Sequence, residues 1–396
     1  MTRLPELTAQ PLSFRLRLAA VIMLVIGVAG LAIGFTTGQM VEAWLWLNIL
    51  FVVFLGIAQA MIVWAAVFRV AQARWTPAVN RIGHSVIGFM PIMYIVLIIL
   101  VVGIKEFAPW ATHPVTGKAE WLNVPFMAAR NLIGVAVLFL LDYLMVRFSL
   151  LADAKVRRGE DVTDDDQHRL NVISLIVIFA YAAVGSVIAY DFIMALSPEW
   201  VSTMFAPYFW ISNLYAAMGV MIILSGALRK SLRMEQYLGK SQFQDMGNLM
   251  LAFGFFSMGL FFAQYLTIWY GNLPWETRFL IVRYYKGPWP YLGWTAFILQ
   301  YIIPFVLLQS RIIKRNPKFS IPVAVIALIG FILERYVLIV PSLAPGSLLI
   351  SPVSAIGFLA FLGAFVLVIA VFFSRYSPIS AAQAALPELE PLEVSP

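Results

Sequence analysis

Ten stretches of this chain stay apolar for longer than the roughly 17 residues a helix needs to cross hydrocarbon. They lie near 16–36, 45–68, 85–104, 127–148, 171–190, 205–228, 246–269, 290–310, 320–341 and 350–373. A chain in lipid must satisfy its backbone polar groups internally, and runs of this length do so as helices. Hydrophobic residues make up 62% of the sequence and charged residues 12%, against roughly 25% charged in soluble domains. The expected fold is therefore all-α: a polytopic membrane protein of about ten transmembrane helices. Pro91 and Pro304 lie inside these runs and are tolerated there without dividing them. The layout suggests two four-helix bundles, spans two to five and spans six to nine, flanked by spans one and ten. Residues 1–379 read as one integral membrane domain. The Pro- and Glu-rich stretch 380–396 has no apolar period and reads as a mobile cytoplasmic tail.

Lys and Arg placement gives an expected orientation, because cytoplasmic loops retain positive charge. Of the 27 basic residues, 20 fall on the side that carries both termini and 7 on the other, so both termini are expected in the cytoplasm. Removal of the first apolar run as a signal peptide would spoil this alternation, and the run is expected to be retained. The net charge of +7 follows from the same loop bias, and with no nucleic-acid motif beside it nucleic acid is not an expected partner. The acidic run 160–166 reads as a solvated face.

Several residue types are missing. With no Cys, the chain offers no thiolate for an iron–sulfur cluster and no c-type haem attachment. His113 and His168 lie in loops on opposite sides and only His84 sits at a helix end, so two facing imidazoles for a haem b are not expected. No metal site and no cofactor of its own is assigned to the chain. A Walker A lysine and a GxGxxG turn are also absent.

Ionisable groups within spans are costly and call for a partner or water. Asp142 lies six residues, roughly 9 Å at 1.5 Å per residue, from the expected cytoplasmic end of span four. His84 opens span three at the same face, and an imidazole beside a buried carboxylate would make a proton relay. The alternative is an ion pair of Asp142 with Arg147 or Arg81 that locks two helices. On the outer side Arg130, Asn131, Tyr190, Asp191, Glu334 and Arg335 are placed at span ends, where such charges snorkel to water. Tyr181, Ser186, Asn48 and Gln59 would either extend a hydrogen-bonded path across the first bundle or join helices. Beyond span seven, Trp275, Glu276, Arg278, Arg283, Tyr284 and Trp289 form an aromatic, charged lip over 270–289. It reads as a docking surface for a partner, with a loop lying flat in the lipid headgroups as the alternative.

Residues 190–209, YDFIMALSPEWVSTMFAPYF, resemble the D-W-x-M-S-L-x-P-x-W-x-S-T-x-[FY] stretch of NrfD-like membrane subunits, the polysulfide-reductase membrane-subunit superfamily. Phe192 and Ala195 depart from its usual Trp and Ser. The stretch 244–248, QDMGN, with the lip from Gln264 to Arg278, is similar to the ActF-type subunit of alternative complex III. The resemblance spans roughly 15–375. It implies a subunit of a quinol:cytochrome c oxidoreductase in the bacterial cytoplasmic membrane, supporting assembly and proton movement. Menaquinol or another quinol would then be bound at the level of the complex. Haem c and iron–sulfur clusters would sit in partners: multihaem and monohaem cytochromes c, an iron–sulfur subunit and a sister NrfD-like quinol-binding subunit. The alternative within this reading is that the chain is the quinol-binding NrfD-like subunit itself, and two other classes stay open. A secondary transporter would need broken helices meeting near the midplane, and no paired Gly/Pro interruptions of that kind stand out. A structural anchor for other subunits is the third.

Overall fold

The computed structural model describes residues 9–37, 40–349 and 355–384. Among them, ten helices are long and apolar enough to cross a membrane, which makes the chain a polytopic all-α membrane protein. The spans are α1 (Phe14–Thr36), α2 (Met40–Val70), α3 and α4 (Pro77–His84 and Met90–Val102), α5 (Val124–Arg157), α6 (Asp164–Phe192), α7 (Phe205–Leu228) and α8 (Lys240–Gly271). They continue, after the short surface helix α9 (Pro274–Tyr284), with α10 and α11 (Pro290–Phe297 and Ile303–Leu307), α12 (Pro317–Leu343) and α13 (Gly357–Arg375). The expected start of the last span at 350, together with Arg3 and the stretch 385–396, lies outside the described residues.

Local chemistry sets the helix ends. Proline opens α3, α5, α9, α10 and α12 in the first turn, where no amide hydrogen bond is lost. Thr163 and Asp166 close a capping box on α6, and the acidic run continues as exposed ion pairs of Glu160 with Arg158 and of Asp165 with Arg169. Asn272 ends α8 in the left-handed conformation, at φ 46°.

Helix α2 is the axis of the molecule and is buried along its whole apolar window. It packs against α6, α7, α4 and α12, so the two expected bundles share this helix as a common wall. Within the halves, α5 pairs with α6, and α8 and α12 both pack on α7. The flanking spans are not separate: α1 and α13 lie against each other. Gly27 allows it, since a Cβ there would stand 2.0 Å from the backbone nitrogen of Ala360.

Three expectations are corrected at this level. The third span is bent, with a short 3-10 stretch at Ile87–Phe89 between α3 and α4, and the eighth passes through a π-helical segment, Ile298–Ile302, before Pro304. Interrupted helices are thus present, although the sequence showed no paired signal. Helix α5 runs on to Arg157, which puts Asp142 15 residues, or roughly 23 Å, from that end instead of six residues. Third, residues 380–384 are docked. Asp153 accepts from Ser380 Oγ at 3.1 Å and from the Ala382 amide at 3.0 Å, and Gln383 donates to Ala73 O at 2.7 Å and Thr76 Oγ1 at 2.8 Å.

Candidate functional site

Buried polar side chains form a seam between the two halves, from the side of the lip to the opposite, basic side. Its largest cluster is built on α12. Arg335 donates to its neighbour Glu334 at 2.5 Å, to Ser212 Oγ at 2.6 Å and to Asn213 Oδ1 at 3.0 Å. Tyr208 donates to the other Glu334 oxygen at 2.6 Å. Tyr301, 3.4 Å from Tyr208, also meets Ser257 at 2.8 Å and Gln300 Nε2 at 3.0 Å. Phe209 and Phe331 flank the guanidinium. The π segment matters here. Its widened turn carries Gln300 and Tyr301 inward, and Tyr215 donates to the Gln300 carbonyl. Gly330 makes room for this, because a Cβ there would lie 2.3 Å from the Gln300 nitrogen.

Glu334 and Arg335, expected to snorkel at a span end, are instead buried, and their charge is answered inside the protein. The same correction holds at the lip-side end of α5 and α6. Arg130 binds Asp191 through two hydrogen bonds of 2.8 and 2.6 Å, Asn131 adds a third at 2.5 Å, and the Arg130 guanidinium lies 4.0 Å over the Trp121 ring. A bidentate pair sandwiched by aromatics is a fixed joint. Tyr190 is half-buried beside it, in the wall of a wide lip-side cavity of about 430 Å³.

The seam continues from Asn213 toward α2. A Cβ on Gly56 would stand 2.6 Å from Asn213 Oδ1, so this glycine lets α2 and α7 touch. One turn further, Gln59 borders a cavity of about 20 Å³ shared with Asn213 and Tyr181. That is room for one water. Tyr181 donates to the Trp210 carbonyl at 2.9 Å. Asp142 is buried and faces the Gln59 carboxamide, yet neither side chain makes a hydrogen bond of normal geometry. Neither Arg81 nor Arg147 pairs with it: Arg81 makes a buried ion pair with Asp153.

His84 lies beyond, in a cavity of about 30 Å³ bordered by Asn80, Ser149, Ser174, Ser380 and Gln383. Its Nδ1 has no hydrogen-bond partner. No hydrogen bond joins His84 to Asp142, so the expected direct relay is not formed; Met145, one turn from Asp142 on α5, lines the His84 cavity. Ser186 drops out of the path, since it donates to Ala182 O of its own helix at 2.6 Å. Asn48 donates to the Phe192 carbonyl at 2.9 Å and joins α2 to the end of α6.

The lip divides. Trp275, Glu276 and Arg278 lie on the outer edge of α9, with Arg278 3.8 Å from Glu199. Arg283, Tyr284 and Trp289 turn inward and are buried, so Tyr284 leaves the expected docking surface and Arg283 meets it only through the pocket that it lines. The split follows the neighbouring helix: Arg283 reaches back to the Leu338 carbonyl and Ser342 of α12, whereas Trp275 and Arg278 stay exposed.

Sequence reasoning missed Tyr208, Ser212, Asn213, Ser257, Gln300, Tyr301, Asp153 and Ser380. The available signal was the adjacent Glu334–Arg335 pair inside an apolar run, which calls for polar partners on neighbouring helices. Chemically, the seam is a series of carboxyl, phenol, carboxamide, hydroxyl and imidazole groups that exchange protons or orient water. The sequence matches none of the known protein-family models and no curated protein.

Proposed function

We propose that this chain is the membrane subunit of a quinol-oxidising electron-transfer complex and carries a proton path along the seam. The observation that carries the reading is Asp142, a buried carboxylate with no cation beside it, set between the Gln59 and His84 cavities. A carboxyl in such a place is tolerable as the neutral acid or as an anion with water at hand, and a group that alternates between the two moves protons. The redox context comes from the resemblance of 190–209 and 244–278 to the NrfD-like and ActF-type subunits. The first of these stretches supplies Asp191 and Tyr208 to the buried network. In this reading the basic side faces the cytoplasm of a bacterial cell, and quinol, haem c and iron–sulfur clusters belong to partner subunits.

Purification in mild detergent followed by reconstitution tests it. A multihaem cytochrome c and an iron–sulfur protein are expected to accompany the chain, and proteoliposomes holding a pH-sensitive dye should acidify under a potassium-valinomycin potential. Purification without haem, together with proton entry no faster than in empty liposomes, overturns the proposal.

A second reading, a secondary transporter, draws on the interruptions at Ile87–Phe89 and Ile298–Ile302. It predicts solute counterflow in the same liposomes.

A further inference from the structure

A pocket of about 250 Å³ opens on the lip side between the turn after α6 and helix α9. Trp200 and Phe279 stack on one another at its wall, 3.7 Å between ring centroids, with Val282 beside them. Arg283 also lines it and is buried. Its guanidinium lies 3.5 Å over the Phe279 ring. It donates to the carbonyls of Phe279 at 2.9 Å and Leu338 at 2.8 Å, and to Ser342 Oγ at 2.6 Å. Nε has no hydrogen-bond partner. Among the described residues no carboxylate pairs with Arg283; the nearby rim pair, Arg278 with Glu199, is exposed and 3.8 Å apart. Burial pushes the Arg283 pKa down to about 9, which leaves the side chain charged at neutral pH. Carbonyl and hydroxyl dipoles ease a buried cation without cancelling its charge.

We propose that this pocket binds a carboxylate group, with Arg283 as its charge partner and Trp200, Phe279 and Val282 flanking an apolar stem. Two features select a carboxylate over a phosphate. The Phe279 and Leu338 carbonyls and Ser342 Oγ already take three of the five guanidinium N–H donors, which leaves too few to face the three oxygens of a phosphate. Glu199 at the rim repels a dianion more than a monoanion. The inference stands apart from the proton-path reading and does not need it.

The test uses the full chain in an uncharged detergent, with propionate as probe and chloride and inorganic phosphate as controls at matched ionic strength. Melting temperature and tryptophan fluorescence are read together. Propionate is expected to raise the first and change the second saturably, and Arg283→Gln to weaken its apparent affinity at least tenfold. Val282→Trp fills the pocket while leaving the three Arg283 hydrogen bonds in place, so it decides the matter if Arg283→Gln does not fold; it too should abolish binding. A peptide with a central glutamate distinguishes the source: tighter binding than propionate assigns the group to a partner's side chain, weaker binding to a small molecule. Equal effects of chloride, stronger binding of phosphate, no response to propionate, or a response that survives Val282→Trp would each overturn the assignment.

Discussion

Glu334 and Asp142 are both carboxylates buried between helices, and their surroundings differ in kind. Glu334 has a cation against one oxygen and a phenol against the other, and its cation is itself held by Ser212 and Asn213. Asp142 has a carboxamide for a neighbour and no counter-charge. The first arrangement fixes a geometry, because every group that moves leaves another unsatisfied. The second leaves the carboxyl able to change its protonation state, because little else is built on its charge. Stability is thus concentrated at one end of the seam and exchange at its middle, and the two should separate under mutation.

The largest effect is expected from Arg335→Gln, which strips Glu334 of its counter-charge. Breaking a buried pair costs about 3–5 kcal/mol. Thermal unfolding in detergent should show that loss, and a loss below about 1 kcal/mol would erase the distinction between the two carboxylates. Gly56→Ala comes next. It places a Cβ 2.6 Å from Asn213 Oδ1 at the joint between the clusters, and overpacking of this kind costs about 1–3 kcal/mol. Unfolding and proton flux should both suffer, because Asn213 serves Arg335 on one side and the Gln59 cavity on the other. For Asp142→Asn the stability change should stay within about 1 kcal/mol while proton entry into liposomes falls at least tenfold. A variant that conducts normally and melts several degrees lower would reassign Asp142 to structure. Ser186→Ala should do least, within about 0.5 kcal/mol and with unchanged flux, since its hydroxyl serves only its own helix.

The sequence made the spans legible because length and composition alone decide whether a segment can cross a bilayer. Span six, expected at 205–228, is observed as Phe205–Leu228. Ends were harder where a helix outruns the membrane. The continuation from Arg147 to Arg157 mixes the charges of Arg147, Asp153, Lys155 and Arg157 into its apolar residues, which ends the apolar run early and displaces Asp142 in the expected geometry. Pairings were harder still, because they are long-range. Tyr208 and Glu334 stand 126 residues apart, and nothing local to either names the other. Arg130 and Asp191 both stand near a span end, where the local sequence favours water as their partner, and only the fold brings them together. The π segment that turns Gln300 and Tyr301 inward has no composition of its own beyond Pro304 nearby.

The contact between α1 and α13 sets a clock on biogenesis. These helices are partners, yet 320 residues lie between the last of one and the first of the other, Thr36 and Gly357. At the usual 5–20 residues per second of synthesis, the first helix waits roughly 15–60 s for its mate. During that wait it must persist alone in lipid, and its composition suits it to do so: beyond Arg15 and Arg17 in its first turn it is apolar on every side, and its buried stripe, Ala20, Gly27, Gly30 and Gly34, exposes nothing that needs a hydrogen bond.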